Sequence, residues 1–473
     1  MASLSSSFVS QLGALLSQDA KVLTDSNHDE FKELLRRWSD IDKQIPGAIV
    51  LVATEEDVVK TVKLAVESQV PFVPKSGGHS FWSTIGSSGI IIDLSAFKGI
   101  AIDQEAKTIT VTGGTPIKEV NDAAFEQGLC VPLGTANTAG VIPQAIGGGL
   151  SALATLCGYT SDNILSARIV TVSGELVDVS NESHPDLLYA IRGAGQFFGV
   201  VTSLTLRAHP LSVLRTPDAT LYTGTIVFPI SRLDDVIEAF VPMVTNESNP
   251  WAGLMLIGAP PPAFQTVIMI LPIYFGPQEE AEKFLEPLRA LQPVMFDGKN
   301  VLYTRANDAV DAFCVKDGFK RFAGAGMSLD HFRDRAKVVF PKIAELFEEL
   351  KKVAPDAGAT AYALEWNAYS SPHKKETEIK EEETAFAHKD AKAWLELLSW
   401  YTDPASHSEV SRIEQQALAL VREGQPDDHV STYQNWTRTD PIEIRYRGKQ
   451  RLEKLKALKK QWDPNGVFTR ELL

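Results

Sequence analysis

Cysteine is scarce in this chain: 473 residues hold three, Cys130, Cys157 and Cys314. So sparse and odd a set is no disulfide framework, although it leaves room for one bridge. None sits in a CxxC pair, which argues against a thiolate metal site, and no metal is expected. Basic residues are in deficit: 46 Lys and Arg stand against 60 Asp and Glu, a net charge of −14. That balance argues against nucleic acid and against an anionic membrane surface as partners. A run of about eighteen apolar residues, the length that crosses a bilayer, is absent. The first residues lack a basic stretch, and Phe8 to Leu16 is interrupted by Ser10, Gln11 and Gly13. They make a poor signal peptide, so the cytoplasm is the expected location. Three N-x-S/T triplets, at Asn181, Asn246 and Asn435, arise by chance often enough to prove nothing about secretion. No internal repeat or low-complexity segment occurs.

What is present is ordinary for a soluble globular protein: 44% hydrophobic and 22% charged residues. The length suits two or three domains with a sizeable core. The stretch that organises the rest is Pro74-Lys75-Ser76-Gly77-Gly78-His79-Ser80. It follows an apolar run, Val70 to Val73, that reads as a short buried strand. Two adjacent glycines let the backbone turn tightly, and successive N–H groups in such a turn form a concavity suited to phosphate. Lys75 adds positive charge, and His79 presents an imidazole beside the loop. Taken alone, the stretch fits equally a strand, a Gly-Gly turn and a surface histidine.

The first half alternates strands and helices. Gly47 to Val52 and Gly89 to Leu94 read as strands, and Ile100 to Val111 as a hairpin. Thr54-Glu55-Glu56-Asp57 opens a helix, with Thr as cap and acids in the first turn. A glycine turn at Thr112-Gly113-Gly114 precedes a helix near Pro116. Gly147-Gly148-Gly149 suits a close backbone pass over a flat ligand better than a helix interior; a surface loop is the other reading. Ser166 to Val179 reads as two strands about Ser173-Gly174, and Pro185 opens a helix. Gly199, inside a strand pattern reaching Leu206, marks another close approach.

After Pro210 the strands lengthen: Leu221 to Phe228, Trp251 to Ile257, Thr266 to Phe275 and Thr360 to Ala368. Helices near Ser231 to Val244, Pro277 to Leu291 and Asp330 to Leu350 separate them, as in one antiparallel sheet backed by helices. Lys374 to Glu383 reads as a charged, solvated loop, and Ala391 to Trp400 as a strand or buried run. Beyond about residue 408 the pattern turns helical. The chain ends on a basic amphipathic helix whose lysines read as a solvated face.

These loops together resemble the FAD-linked oxidases of the vanillyl-alcohol oxidase/PCMH superfamily, most closely the berberine-bridge-enzyme-like branch. The markers occur in order: SGGHS at 76–80, TGGTPIKEV at 112–120, AGVIPQAIGGG at 139–149, DNIL at 162–165, DLLYAIRGAG at 186–195, FGVVT at 198–202, YQNW at 433–436 and WDPNGVF at 462–468. The resemblance implies an α+β fold. A two-part PCMH-type FAD-binding domain, residues 1–208 and 409–473, encloses a substrate domain at 209–408 with an antiparallel sheet backed by helices.

The resemblance also implies FAD joined covalently to His79. A neutral imidazole nitrogen is a competent nucleophile near neutral pH. Lys75, Ser76, Gly77, Gly78, Ser80, Thr112, Gly113 and Gly114 are expected to hold the pyrophosphate. Thr135, Gly140, Ile142, Gly147, Gly148, Gly149, Asn163, Gly199, Val200, Val201 and Tyr433 are expected along the rest of the cofactor. Many relatives attach FAD a second time through cysteine in a G-x-C-P setting; here Gly140-Val141-Ile142-Pro143 puts Ile142 there. A single histidyl linkage is therefore expected, and Cys157 is not expected to substitute. Relatives often read HSY where Phe81 now follows Ser80, and their Y-x-N-Y becomes Tyr433-Gln434-Asn435-Trp436.

Tyr433 is the candidate base, or else a packed core tyrosine; a phenol of ordinary pKa near 10 needs help to act at neutral pH. Asn435 would orient flavin or substrate. Glu396, between aromatics on one strand face, either faces the pocket with a raised pKa or forms a rim salt bridge. His388 reads as structural. The implied activity is oxidation of a substrate carbon bearing OH or NH, with O₂ as re-oxidant, on a small and apolar secondary metabolite. A non-redox cyclase keeping FAD as scaffold, a carbohydrate oxidase or dehydrogenase, and a binding protein without turnover are the alternatives. Oligomeric state is left open.

Overall fold

The computed structural model describes residues 4–357, 360–437 and 439–473. The first sheet holds β1 (Lys21–Leu23), β2 (Ala48–Leu51), β3 (Phe72–Lys75) and β4 (Ile90–Asp93), in the order β1-β2-β4-β3. β2 and β3 both run parallel to β4. Parallel neighbours need a crossover, and the helix Glu55–Glu67 supplies it between β2 and β3. Thr54 caps that helix in a reciprocal pair with Asp57, which also accepts from Ser17. All four residues of β4 are buried, which explains its unbroken Ile-Ile-Ile run.

Next come β5 (Lys98–Asp103), β6 (Thr108–Gly113), β7 (Leu129–Cys130), β8 (Ile164–Val170), β9 (Leu176–Val179), β10 (Val200–Arg207) and β11 (His209–Pro210). Five of them form the sheet β5-β6-β10-β8-β9, while β7 and β11 pair as a short ribbon. The C-terminal helix Lys449–Trp462 returns here, burying Leu455 and Leu458 in the core of this second sheet. Val467 and Phe468 pack against the core of the first. Both ends of the chain thus meet around the two sheets.

The third sheet has seven strands: β12 (Thr220–Pro229), β13 (Trp251–Gly258), β14 (Val267–Tyr274), β15 (Met295–Leu302), β16 (Phe319–Met327), β17 (Ala361–Trp366) and β18 (Ala393–Tyr401). Their order is β15-β12-β14-β13-β17-β18-β16, and every pairing is antiparallel. Helices Leu233–Thr245, Leu329–Val353 and His407–Arg422 cover one face. Strand alternation sends Met255, Ile257, Tyr362, Leu364, Trp366, Leu395 and Leu397 into that core. Trp251 and Trp366 anchor it with ring centroids 4.5 Å apart; truncating either to Ala costs about 3–5 kcal/mol. The opposite face carries Leu254, Leu256, Ala361, Ala363, Glu365, Glu396 and Leu398, and these look into a cavity. The fold is α+β, and no described helix is long and apolar enough to cross a membrane.

Several expectations change. The strand placed at Val70 to Val73 runs from Phe72 to Lys75. The segment Lys374 to Glu383 contains short helical turns at Pro372–Thr377 and Glu381–Glu383, and Lys374 is buried. β15 and β16 have no counterpart in the sequence reading. The final helix is not wholly solvated: Lys459 is buried, pairing with the equally buried Asp463 at 2.6 Å and donating to the carbonyl of Phe197.

Candidate active site

A cavity of about 450 Å³ lies between the loops of the first two sheets and the open face of the third. Lys75 through Ser80 line it, together with Thr135, Gly140, Ile142, Gly199, Val200 and Val201. Glu396, Tyr433 and Asn435 reach it from the other side. Most of the expected site residues, drawn from stretches hundreds of positions apart, thus share one cavity.

The loop after β3 is held in place by its neighbour. A Cβ on Gly77 would sit 2.4 Å from the carbonyl oxygen of Thr138, and one on Gly140 would sit 2.0 Å from Ser76 Oγ. The two loops interlock only because both positions are glycine. Gly78 takes a positive φ of 77°, a conformation that glycine adopts without a Cβ penalty. Among the described residues, no acceptor within the protein takes the N–H of Gly77, Gly78 or His79. Lys75 serves differently than expected. Its Nζ lies 2.7 Å from Asp93 Oδ2, and both side chains are buried, so its charge is already neutralised.

The His79 ring stacks near Trp38, with centroids 6.2 Å apart and planes at 18°, and its Nε2 lies 2.7 Å from Thr138 Oγ1. Its surface is partly exposed, yet protein surrounds the ring. That burial, with the ammonium groups of Lys316 and Lys320, pushes the imidazole down to about 4. It is neutral across the physiological range, the state in which a ring nitrogen is nucleophilic.

Tyr433 Oη is the meeting point of three donors. The amides of Gly149 and Leu150 reach it at 2.9 and 3.3 Å, and Asn435 Nδ2 at 2.9 Å. Asn435 Nδ2 also donates to the carbonyl of Gln144 at 3.2 Å. Burial raises the phenol to about 12, while the three donors pull the other way. Three donors suit an oxygen that has given up its proton better than one that keeps it.

Glu396 forms no salt bridge among the described residues; it hydrogen-bonds Glu365 on the adjacent strand. The register sets Ala363 opposite Glu396 and Leu254 opposite Glu365, so both carboxyls emerge on the cavity face. Burial raises both carboxyl groups; the Glu365 carboxyl pushes Glu396 furthest, while the hydrogen bond from Glu396 holds Glu365 lower. A hydrogen bond between two carboxyl groups requires a proton on one of them. Glu365 was not singled out in the sequence. Its signal was there: it continues the alternate face of Ala361 and Ala363, opposite Tyr362, Leu364 and Trp366. Gln144 and Gln196 also line the cavity without having been singled out.

Seven expected residues are absent from the lining. Gly113 faces β5, where a Cβ would lie 1.9 Å from the Phe97 carbonyl oxygen, and Gly114 presses on Leu94. Thr112 accepts from Thr115 through its carbonyl in the same turn. That turn packs strand against strand and does not meet the cavity. Gly147, Gly148 and Gly149 end the helix Val141–Ile146 and give room to protein side chains: Asn435, Phe386 and Thr160. Of the three, only Gly148 passes over a flat group, the Phe386 ring. Asn163 is buried, donating to the carbonyls of Cys157 and Tyr159 at 3.0 and 2.9 Å. Cys157 is likewise outside the lining, and His388 is buried with Nε2 3.0 Å from the carbonyl of Arg445.

The wall fits a flavin dinucleotide on its own chemistry. Ser76 Oγ, Gln144 Oε1 and Gln196 Oε1 are buried polar atoms with no partner in the protein, and all three residues line the cavity. Leaving such atoms unpaired costs about 1–3 kcal/mol each, so they call for a polar ligand. The free amides of the 77–79 loop suit phosphate oxygens.

The FAD binding domain family matches residues 46–180. The FAD-linked oxidoreductase hasG of Aspergillus fumigatus is 31% identical over 468 residues, covering 95% of each chain. Among solved structures, Physcomitrella patens BBE-like 1 superposes with a TM-score of 0.82 at 19% identity, over 98% of this chain and 99% of that one. A glucooligosaccharide oxidase of Acremonium strictum, described with a 6-S-cysteinyl, 8α-N1-histidyl FAD, gives 0.81 at 19% identity over 98% of each.

Proposed function

The chain belongs to the FAD-linked oxidoreductases of the vanillyl-alcohol oxidase/PCMH superfamily, in the berberine-bridge-enzyme-like branch, and on that premise we propose that it is an oxidase acting on a carbon that bears OH or NH in an apolar secondary metabolite. The observation that carries this reading is the convergence of His79, Tyr433 and the Glu365–Glu396 pair on one cavity.

When bound, FAD supplies a hydride acceptor that returns its electrons to O₂. His79 would join it covalently through its neutral imidazole. Ile142, at the position of a second attachment in relatives, leaves the histidine as the single tether. Ser76, Gln144, Gln196 and the loop amides would meet its polar atoms.

In its ionised form, Tyr433 takes the substrate O–H or N–H proton at Oη. Asn435 Nδ2 and the amides of Gly149 and Leu150 steady the charge on that oxygen. Glu365 and Glu396 bind a polar edge of the substrate through their shared proton. Leu254, Leu256, Ala361, Ala363, Leu398 and Trp436 supply an apolar wall that excludes water and suits a hydrophobic scaffold better than an oligosaccharide. The three thiols are unpaired, in keeping with a reducing compartment, and the cytoplasm is the proposed location.

A second reading, a non-redox cyclase, draws on Phe81 in place of a phenol and on Glu396 as a held proton. Anaerobic addition of apolar aromatic alcohols and amines separates the two. Bleaching of flavin absorbance, followed by peroxide release when air is admitted, supports the oxidase. Product formed without bleaching overturns it in favour of the cyclase.

A further inference from the structure

Outside the cavity, four elements bring sulfur and imidazole together. Cys157 ends the short helix Ala154–Cys157, His209 lies on β11, and His373 lies on the helix Pro372–Thr377. One ligand atom from each falls within 4.8 Å of the other two. Cys130 lies on β7 directly opposite His209, so the two side chains leave the ribbon on the same side. The Cys130 thiol neighbours that of Cys157 and raises it, standing next to the three-atom cluster as a fourth ligand that would have to close in. None of the four residues lines the cavity.

The hydrogen bonds fix which nitrogen is free. Asn163 Nδ2 is committed to two carbonyls, so its Oδ1 faces His209 Nε2 at 2.9 Å and must accept. His209 therefore carries its proton on Nε2, and Nδ1 presents a lone pair. That lone pair points at His373 Nε2, 2.8 Å away. An imidazole whose far nitrogen is anchored to a fixed acceptor is the arrangement that orients a metal ligand.

We propose that Cys130, Cys157, His209 and His373 form a structural zinc site. Binding exchanges the two thiol protons for the ion, and the His373 proton moves from Nε2 to Nδ1. Two thiolates and two neutral imidazoles cancel the charge of Zn²⁺, as a buried site requires. Zinc–nitrogen bonds near 2.05 Å place two tetrahedral nitrogens about 3.3 Å apart. The imidazoles need to separate by about 0.5 Å, and the half-exposed His373 on its short helix has room to move. The ion fastens the β7–β11 ribbon and helix Ala154–Cys157 to helix Pro372–Thr377, elements already joined by Ser371 Oγ donating to the carbonyl of Leu156 at 2.9 Å.

The test is metal analysis of the purified, flavin-loaded protein, as isolated and after incubation with zinc chloride and desalting. One zinc per chain is expected, lost in Cys157→Ser and in His373→Ala. The second variant removes a half-exposed side chain, so it separates ligand loss from failure to fold. Cobalt loading adds a signature: thiolate-to-cobalt charge-transfer absorption, absent from Cys157→Ser. Protein that retains no zinc after incubation overturns the site. So does zinc content unchanged in both variants, or a Cys130–Cys157 disulfide in the isolated protein.

Discussion

Asn435 Nδ2 lies 2.9 Å from the hydroxyl oxygen of Tyr433, two residues earlier, and joins the amides of Gly149 and Leu150 on that atom. Asn435 is thus a positioning residue for the phenol, and the Gly-Gly-Gly loop has a second purpose as its backbone donor. Tyr433→Phe is expected to lower kcat by about 10²–10⁴-fold, the usual contribution of a placed base, with KM little changed. Asn435→Leu removes one donor, so the phenol rises further and the increase of rate with pH that follows Tyr433 ionisation moves to higher pH. Steady-state kinetics across pH reads both effects.

The carboxyl pair sets the acid limb. Both groups stand above the ordinary carboxylate value of 4.5 because they are buried side by side. The singly ionised pair is lost as pH falls, at a higher pH than an isolated carboxylate would be. Activity is expected to decline on that limb. Glu365→Gln should abolish it, and Glu396→Leu, which removes the hydrogen bond that lowers Glu365, should shift it to higher pH. A limb unmoved in both variants would dissociate the pair from turnover.

Much of the site was legible before the structure because glycine, histidine and tyrosine motifs are local. Ser76 to Ser80 and Tyr433 to Trp436 each carry their meaning in a few consecutive residues. Glu365 did not, because a lone acid in a strand looks the same whether it faces solvent or a neighbouring acid. β15 was missed because Met295–Leu302 mixes Asp, Gly, Lys and Asn on an exposed edge without alternation. β16 was missed because Gly324 and Gly326 depress its strand propensity. Both are glycine because Trp436 and Ser431 press on them: added Cβ atoms would lie 2.5 Å and 2.8 Å away. The His209, His373 and cysteine cluster comes from four segments, so no spacing rule could reveal it.

Lys75 and Asp93 form a buried pair under the cavity loop, 2.7 Å apart. Lys75→Met alone leaves a buried carboxylate and is expected to cost about 3–5 kcal/mol. Lys75→Met with Asp93→Asn should recover most of that loss. Urea denaturation of the three proteins measures it. Equal stability of single and double variants would contradict the pairing.

His388 makes acid stability testable. Burial and the neighbouring Arg447 depress its imidazole to about 3 from an ordinary 6.5. The unfolded chain takes up this proton below about 6.5 and the folded chain does not, so stability falls as pH drops through that window. His388→Gln should flatten the slope by about 1.4 kcal/mol per pH unit, as read by urea melts across the acid range.

The central claim is that one imidazole tethers the flavin. Digestion of the unfolded protein and mass measurement of the peptide spanning His79 tests it most directly. The account expects that peptide to weigh its own residues plus one FAD, with the peptide spanning Ile142 unmodified and no tethered flavin in His79→Ala. A wild-type His79 peptide at the mass of its amino acids alone, with all the flavin released on unfolding, would contradict it.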